Sequence, residues 1–75
     1  RQVKAIRILD EHIGIDALPD KLKIVARLRW NNPEASLKEL EEMMNGTLSK
    51  SGIGHRLKKL EALALTYDPM GLEEV

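Results

Sequence analysis

The stretch that decides the fold is Ser36 to Leu60, SLKELEEMMNGTLSKSGIGHRLKKL. It opens on a capping box: the Ser36 hydroxyl accepts from the third amide of a helix, and Glu39 reaches back to the Ser36 amide. Leu37, Leu40, Met43 and Met44 follow as a buried stripe, the methionines serving as core fillers. Asn45 and Gly46 supply a left-handed stop, Leu48 is placed to plug the corner, and Ser49 stands as the N-cap of the next helix. In that helix Ile53, Leu57 and Leu60 recur at helical spacing and continue to Ala64. At about 100° per residue they share a narrow wedge, while Ser51, His55, Lys58 and Lys59 point roughly the opposite way. A short capped helix, a corner and a second helix opening on polar and basic residues make a helix-turn-helix. The Asn45-Gly46-Thr47 connection is one or two residues longer than the most compact corner.

Working toward the N-terminus, Pro33 and Asn32 end a helix that Pro19 and Asp20 begin. Its stripe is Leu18, Leu22, Val25 and Ala26, widened by Ile24 and Leu28, and it is expected to be the central packing element. Lys21, Lys23, Arg27 and Arg29 are assigned to its solvated face, with bracing of a DNA backbone by one or two of them as the alternative. Before it, Val3, Ile6, Leu9 and Ile13 predict a first helix that Gly14 stops. Ala5 and Ile8 fall off this stripe, which implies partial burial or contact with a preceding domain. The expected fold is all-α, a compact bundle of about four helices at 2–12, 19–30, 36–44 and 49–66. Residues 1–67 then form one helical domain with the helix-turn-helix at about 36–61. The tail, 68–75, has too little pattern to place after Asp68 and Pro69 and is expected to be disordered.

Seventy-five residues make at most one domain, with roughly 60 to 65% of the unfolded surface buried and little sequence left for a catalytic cleft. Without cysteine there is no disulfide or thiolate metal site, and the two histidines lie far apart. No apolar run approaches the roughly 20 residues needed to span a bilayer, and no signal-peptide pattern opens the chain. A cytoplasmic, nucleoid-associated setting without membrane contact is expected. The start at Arg1, inside a helical pattern, is read as a domain of something larger.

The formal net charge of zero conceals segregation. Residues 1–33 sum to +3, 34–48 to −3, 49–60 to +4 and 61–75 to −4. Local basic faces meet phosphate, so the distribution outweighs the total. Free amides near Ser49, Lys50 and Ser51 favour a phosphate oxygen. His55 is placed to donate to a guanine or a phosphate, Arg56 to reach a groove wall or cover the core with its stem, and Lys58 and Lys59 to hold backbone phosphates. Gly52 and Gly54 admit two explanations, close approach of DNA or relief of crowding against the third helix. The candidate DNA-binding residues are Ser49, Lys50, Ser51, Gly52, His55, Arg56, Lys58 and Lys59.

The wording adds a resemblance. LPDKL at 18–22, PEASLKEL at 33–40 and LSKSGIGHRLKKL at 48–60 closely resemble the C-terminal domain of the WhiA family of bacterial regulators. The similarity runs from Leu18 to about Leu63. It implies a transcription factor in which an N-terminal domain like a degenerate LAGLIDADG endonuclease, absent here, precedes a helix-turn-helix that binds double-stranded DNA. It further implies roles in sporulation or cell division, with a WhiB-type iron-sulfur regulator as partner in actinobacterial settings. The isolated domain is expected to be a monomer with no cofactor. Two positions depart from the family: Glu41 stands where a small residue is usual, and Gly54 where Asn is common.

A competing class is a protein-interaction module that docks through Ile8, Ile24, Leu28 and Trp30 or through the acidic third helix. Enzymatic chemistry is not expected. His12 beside Asp10 and Glu11 is too sparse for metal or acid-base work, and no phosphate-binding glycine loop precedes a lysine.

Overall fold

The computed structural model describes residues 1–73 and is all-α. Helix α1 spans Gln2–His12, α2 Asp20–Asn31, α3 Leu37–Met43, α4 Lys50–Tyr67 and α5 Pro69–Glu73, with a 3₁₀ turn at Ile15–Ala17 between α1 and α2. The four expected helices are present, their ends within a residue of the expected ones.

The hub is α4, not α2. Its 18 residues are the longest element, and they touch α1, α2, α3 and α5. Ile53, Leu57, Leu60 and Ala64 form its inner stripe, each at most 1% exposed. Apolar side chains spaced at three and four residues can meet neighbours on several sides only on a helix long enough to run the depth of the bundle, about 27 Å at 1.5 Å per residue. Against this stripe α1 packs Ala5, Ile6, Ile8 and Leu9, and α2 packs Val25 and Ala26. Ala5 and Ile8 are therefore core residues and not a face left for a neighbour. Ile24, expected to widen the arc of α2, is instead exposed.

Arg29 corrects the expectation of a solvated α2 face. It is 5% exposed, and its Nη1 lies 3.2, 3.2 and 2.7 Å from the carbonyl oxygens of Asn32, Pro33 and Ala35. The position explains the burial: Arg29 follows Val25 by four residues and Ala26 by three, so it shares their inward face. Its guanidinium satisfies carbonyls beyond the end of α2 that no helix amide can reach, and so ties α2 to the segment leading into α3.

That segment ends on the expected capping box. The Glu39 amide donates to Ser36 Oγ at 3.1 Å, and the Ser36 amide donates to Glu39 Oε1 at 2.9 Å. The Ser36 amide, and then the hydroxyl, hold the Glu39 carboxyl below its ordinary value of 4.5. A folded-state value lowered in this way gives stability that is present above the unfolded value and lost as pH falls through the folded one. Glu39→Gln, which keeps an acceptor but no charge, is expected to lower the melting temperature at pH 7. Its deficit relative to the parent should close as the pH drops below the carboxylate range in paired thermal melts.

The segment expected to be disordered is ordered through residue 73. Asp68 caps α5 by accepting from the Gly71 amide at 2.9 Å, and Leu72, 3% exposed, is buried against the core. A side chain at residue 71 would meet Asp68 Oδ2 at 2.2 Å, so the glycine leaves room for this cap. Asp-Pro thus ends α4 and starts a further turn, with one leucine as anchor. Glu74 and Val75 lie outside the described residues.

Candidate nucleic-acid interface

Six residues, Met44 to Ser49, join α3 to α4, a corner longer than the compact helix-turn-helix turn of three or four. Asn45 and Gly46 both adopt left-handed backbone, φ 54° and 74°, and end α3 as expected. Thr47 Oγ1 donates to the Met44 carbonyl at 2.7 Å and closes the bend. Leu48 is half-buried and packs against the core under the corner.

Beyond the corner, Ser49 caps α4 by accepting from the Gly52 amide at 3.0 Å. Ser51, His55, Lys58 and Lys59 are all exposed, opposite the buried stripe. At about 100° per residue, Lys58 and Lys59 stand on either side of the line through Ser51 and His55. Two lysines thus flank two shorter polar side chains. Lys50, Ser51, His55 and Lys58 line one shallow groove together with Gly54 and with Leu37 of α3. Arg56 is half-buried on the opposite flank, where its stem covers the core edge.

The start of α4 differs from expectation. Its amides are not free: Gly52 donates to Ser49, and the Lys50 amide donates to Glu41 Oε2 at 2.9 Å. Of the first three, only the Ser51 amide has no acceptor among the described residues. Glu41, standing where the family usually has a small residue, bridges α3 to α4 by accepting from an amide nine residues away. The signal available in sequence was an acid on the last turn of a short helix before a basic one, a pairing that depends on the corner's angle.

Of the two glycines only Gly52 has a local steric reason. A Cβ at residue 52 would lie 3.1 Å from Ser49 Oγ, and one at residue 54 would lie 3.4 Å from Leu37 Cδ1. The contact at 52 is with the helix's own cap and that at 54 with α3. Because 3.4 Å is ordinary contact against the end of a flexible side chain, Gly54→Ala is expected to stabilise the domain by about 0.5–1 kcal/mol, the helical cost of glycine. Denaturant unfolding measures the gain. Unchanged duplex affinity in the same variant would assign Gly54 to packing, and weakened affinity would assign it to close approach of DNA.

Among the described residues no group of three or more His, Cys, Asp or Glu is arranged to hold a metal ion, and no helix is long and apolar enough to cross a membrane. His12 instead packs its ring 5.6 Å from that of Tyr67, with Nδ1 2.8 Å from the Ile8 carbonyl oxygen.

Comparison with known proteins extends the resemblance to the N-terminus. The family model for the WhiA C-terminal HTH domain matches residues 1–64. A protein of Bacillus pumilus named "Probable cell division protein WhiA" is 57% identical over 65 residues, covering 85% of this chain and 21% of its own length. Proteins of the same name from Staphylococcus carnosus and Macrococcus caseolyticus are 55% and 54% identical over 65 residues, with the same coverage. The chain thus spans about a fifth of the length of these relatives. No solved structure matches. With the family model matched from α1 through most of α4, and relatives more than half identical over 65 residues, the chain belongs to the WhiA family, as its C-terminal helix-turn-helix domain.

Proposed function

We propose that this domain binds double-stranded DNA sequence-specifically, with α4 in the major groove and α1 to α3 as its platform. The observation that carries the proposal is the outer face of α4: Ser51 and His55 exposed between Lys58 and Lys59, on a helix whose opposite face is the centre of the core. A rigidly seated helix with hydrogen-bonding side chains at mid-face and lysines at its edges suits a groove that offers base edges between two phosphate walls. Lys58 and Lys59 position the helix on the backbone, while Ser51 and His55 read base edges. Ser49 and Gly52 hold the helix start, Lys50 adds a cation beside it, and Arg56 stands toward a groove wall. The domain performs no chemistry.

The relatives' name carries over as a proposal that the parent protein acts in cell division, at the nucleoid. The domain then supplies the DNA contact for that regulator.

A second reading rests on Ile24 and Trp30, large apolar residues of α2 that are about half exposed. These two form the core of a protein-docking face; Ile8, buried in the core, does not belong to it. An NMR titration of the domain with short duplexes at two salt concentrations separates the readings. Shifts confined to α4 and the corner support DNA binding. Shifts absent from α4, with Ile24 and Trp30 moving when a protein partner is added, support docking instead.

A further inference from the structure

The start of α4 carries its own anion. Glu41 Oε2 accepts the Lys50 amide at 2.9 Å, and Glu41 is half-buried in the corner between α3 and α4. Of the other amides at the start of α4, Gly52 and Ile53 are turned to local use and Ser51 alone has no acceptor among the described residues. Ser49 Oγ takes Gly52 at 3.0 Å, and the Ser49 carbonyl takes Ile53 at 2.9 Å. A carboxylate therefore stands at the positive end of the helix dipole, where a backbone phosphate would otherwise gain from the same partial charge. A phosphate brought to that end would meet a like charge at close range, in an environment less screened than bulk water.

We infer that Glu41 is a specificity-determining residue that denies the duplex backbone a phosphate contact at the start of α4. This inference rests on the DNA-binding reading and deepens it. A phosphate contact at the helix start would strengthen binding to every sequence alike, because phosphates carry no sequence information. Filling that position from within leaves the lysines farther along α4 to set the backbone contacts. The same carboxylate fixes α4 to α3, so the angle of the reading face is held by the residue that limits non-specific attraction. Charge and clamp are two separable properties of one side chain.

Glu41→Gln separates them, because its amide oxygen still accepts from Lys50 while the negative charge is gone. The experiment measures affinity of the 75-residue parent, Glu41→Gln and Glu41→Ala for a random-sequence duplex across a salt series, with thermal melts of each protein. Glu41→Gln is expected to melt near the parent and to bind the random duplex roughly 3- to 10-fold more tightly at low salt. Its log affinity should fall more steeply with log salt, by about one unit of slope for one added phosphate contact. Glu41→Ala should also gain affinity but melt lower, having lost the clamp. If Glu41→Gln matches the parent in affinity and slope while the parent binds duplex, Glu41 is only a structural clamp and the inference is overturned. Weaker binding by a well-folded Glu41→Gln overturns it as well. If parent and variants alike bind no duplex at any salt, the DNA-binding reading itself fails, and the inference falls with it.

Discussion

Arg29→Ala is expected to lower the stability of the domain by about 2–4 kcal/mol, a fall in melting temperature of roughly 10–25 °C for a chain of this size. One nitrogen, Nη1, lies within hydrogen-bond distance of the carbonyls of Asn32, Pro33 and Ala35, so its two N–H bonds serve three acceptors. Hydrogen bonds from a charged donor contribute about 1.5–3 kcal/mol each, and loss of the donor lets part of this loop rehydrate, which sets the net figure below their sum. The stem also matters, because the side chain runs along the inward face of α2 beside Val25 and Ala26, both fully buried. Arg29→Met separates the contributions: it restores apolar contact without donors and should recover only part of the loss. The damage should reach the corner too. The clamped carbonyls belong to the segment that delivers Ser36 to its cap, so a loosened segment leaves the start of α3 unanchored. Amide exchange at Leu40, whose N–H donates to the Ser36 carbonyl at 3.0 Å, should accelerate in Arg29→Ala. A melting temperature within about 2 °C of the parent would show that water replaces the guanidinium at little cost.

What the sequence made legible was local. The Ser36–Glu39 box, the Asn45-Gly46 stop and the Ser49 cap each depend on residues within a few positions of one another, and the structure holds all three. The buried stripe of α4, and with it the outward direction of Ser51, His55, Lys58 and Lys59, follows from periodicity alone, because a helix long enough to be the hub has only one face that neighbours leave open. The contacts that sequence reasoning missed cross between elements. Glu41 reaches Lys50 only because the corner folds α3 back across the start of α4. Arg29 stood at an inward position, yet its charge argued for solvent, and the acceptors that reverse this lie in a linker with no periodicity. Leu72 is a single apolar residue in a short tail, and no pattern can form from one point. The family resemblance did not supply these contacts either: Glu41 is itself a departure from the family's usual small residue.

Replacing Lys58 and Lys59 together by alanine is expected to weaken binding to every duplex, by an amount that depends on salt. Each lysine that neutralises one phosphate contributes about 0.9 to the slope of log affinity against log salt, so the pair should flatten that slope by about 1.8. If the contribution vanishes near 1 M salt, the double variant loses roughly 200-fold at about 50 mM and roughly 20-fold at about 200 mM. The folded state should not change, since both side chains are exposed and lie off the buried stripe. His55→Ala is the contrasting case. It should leave the slope nearly unchanged and cost about 1–3 kcal/mol on a preferred site only, with little effect on random sequence. The contrast follows from the proposed docking, in which the lysines, straddling the centre of the exposed face, reach the walls of the groove and His55, near its centre, lies over the bases. Fluorescence anisotropy on one preferred and one random duplex, each across a salt series, measures both effects. A slope unchanged in the lysine variant would remove α4's outer face from the phosphate contacts. Equal losses for His55→Ala on both duplexes would reduce that residue to a backbone contact and leave Ser51 as the remaining reader on this face.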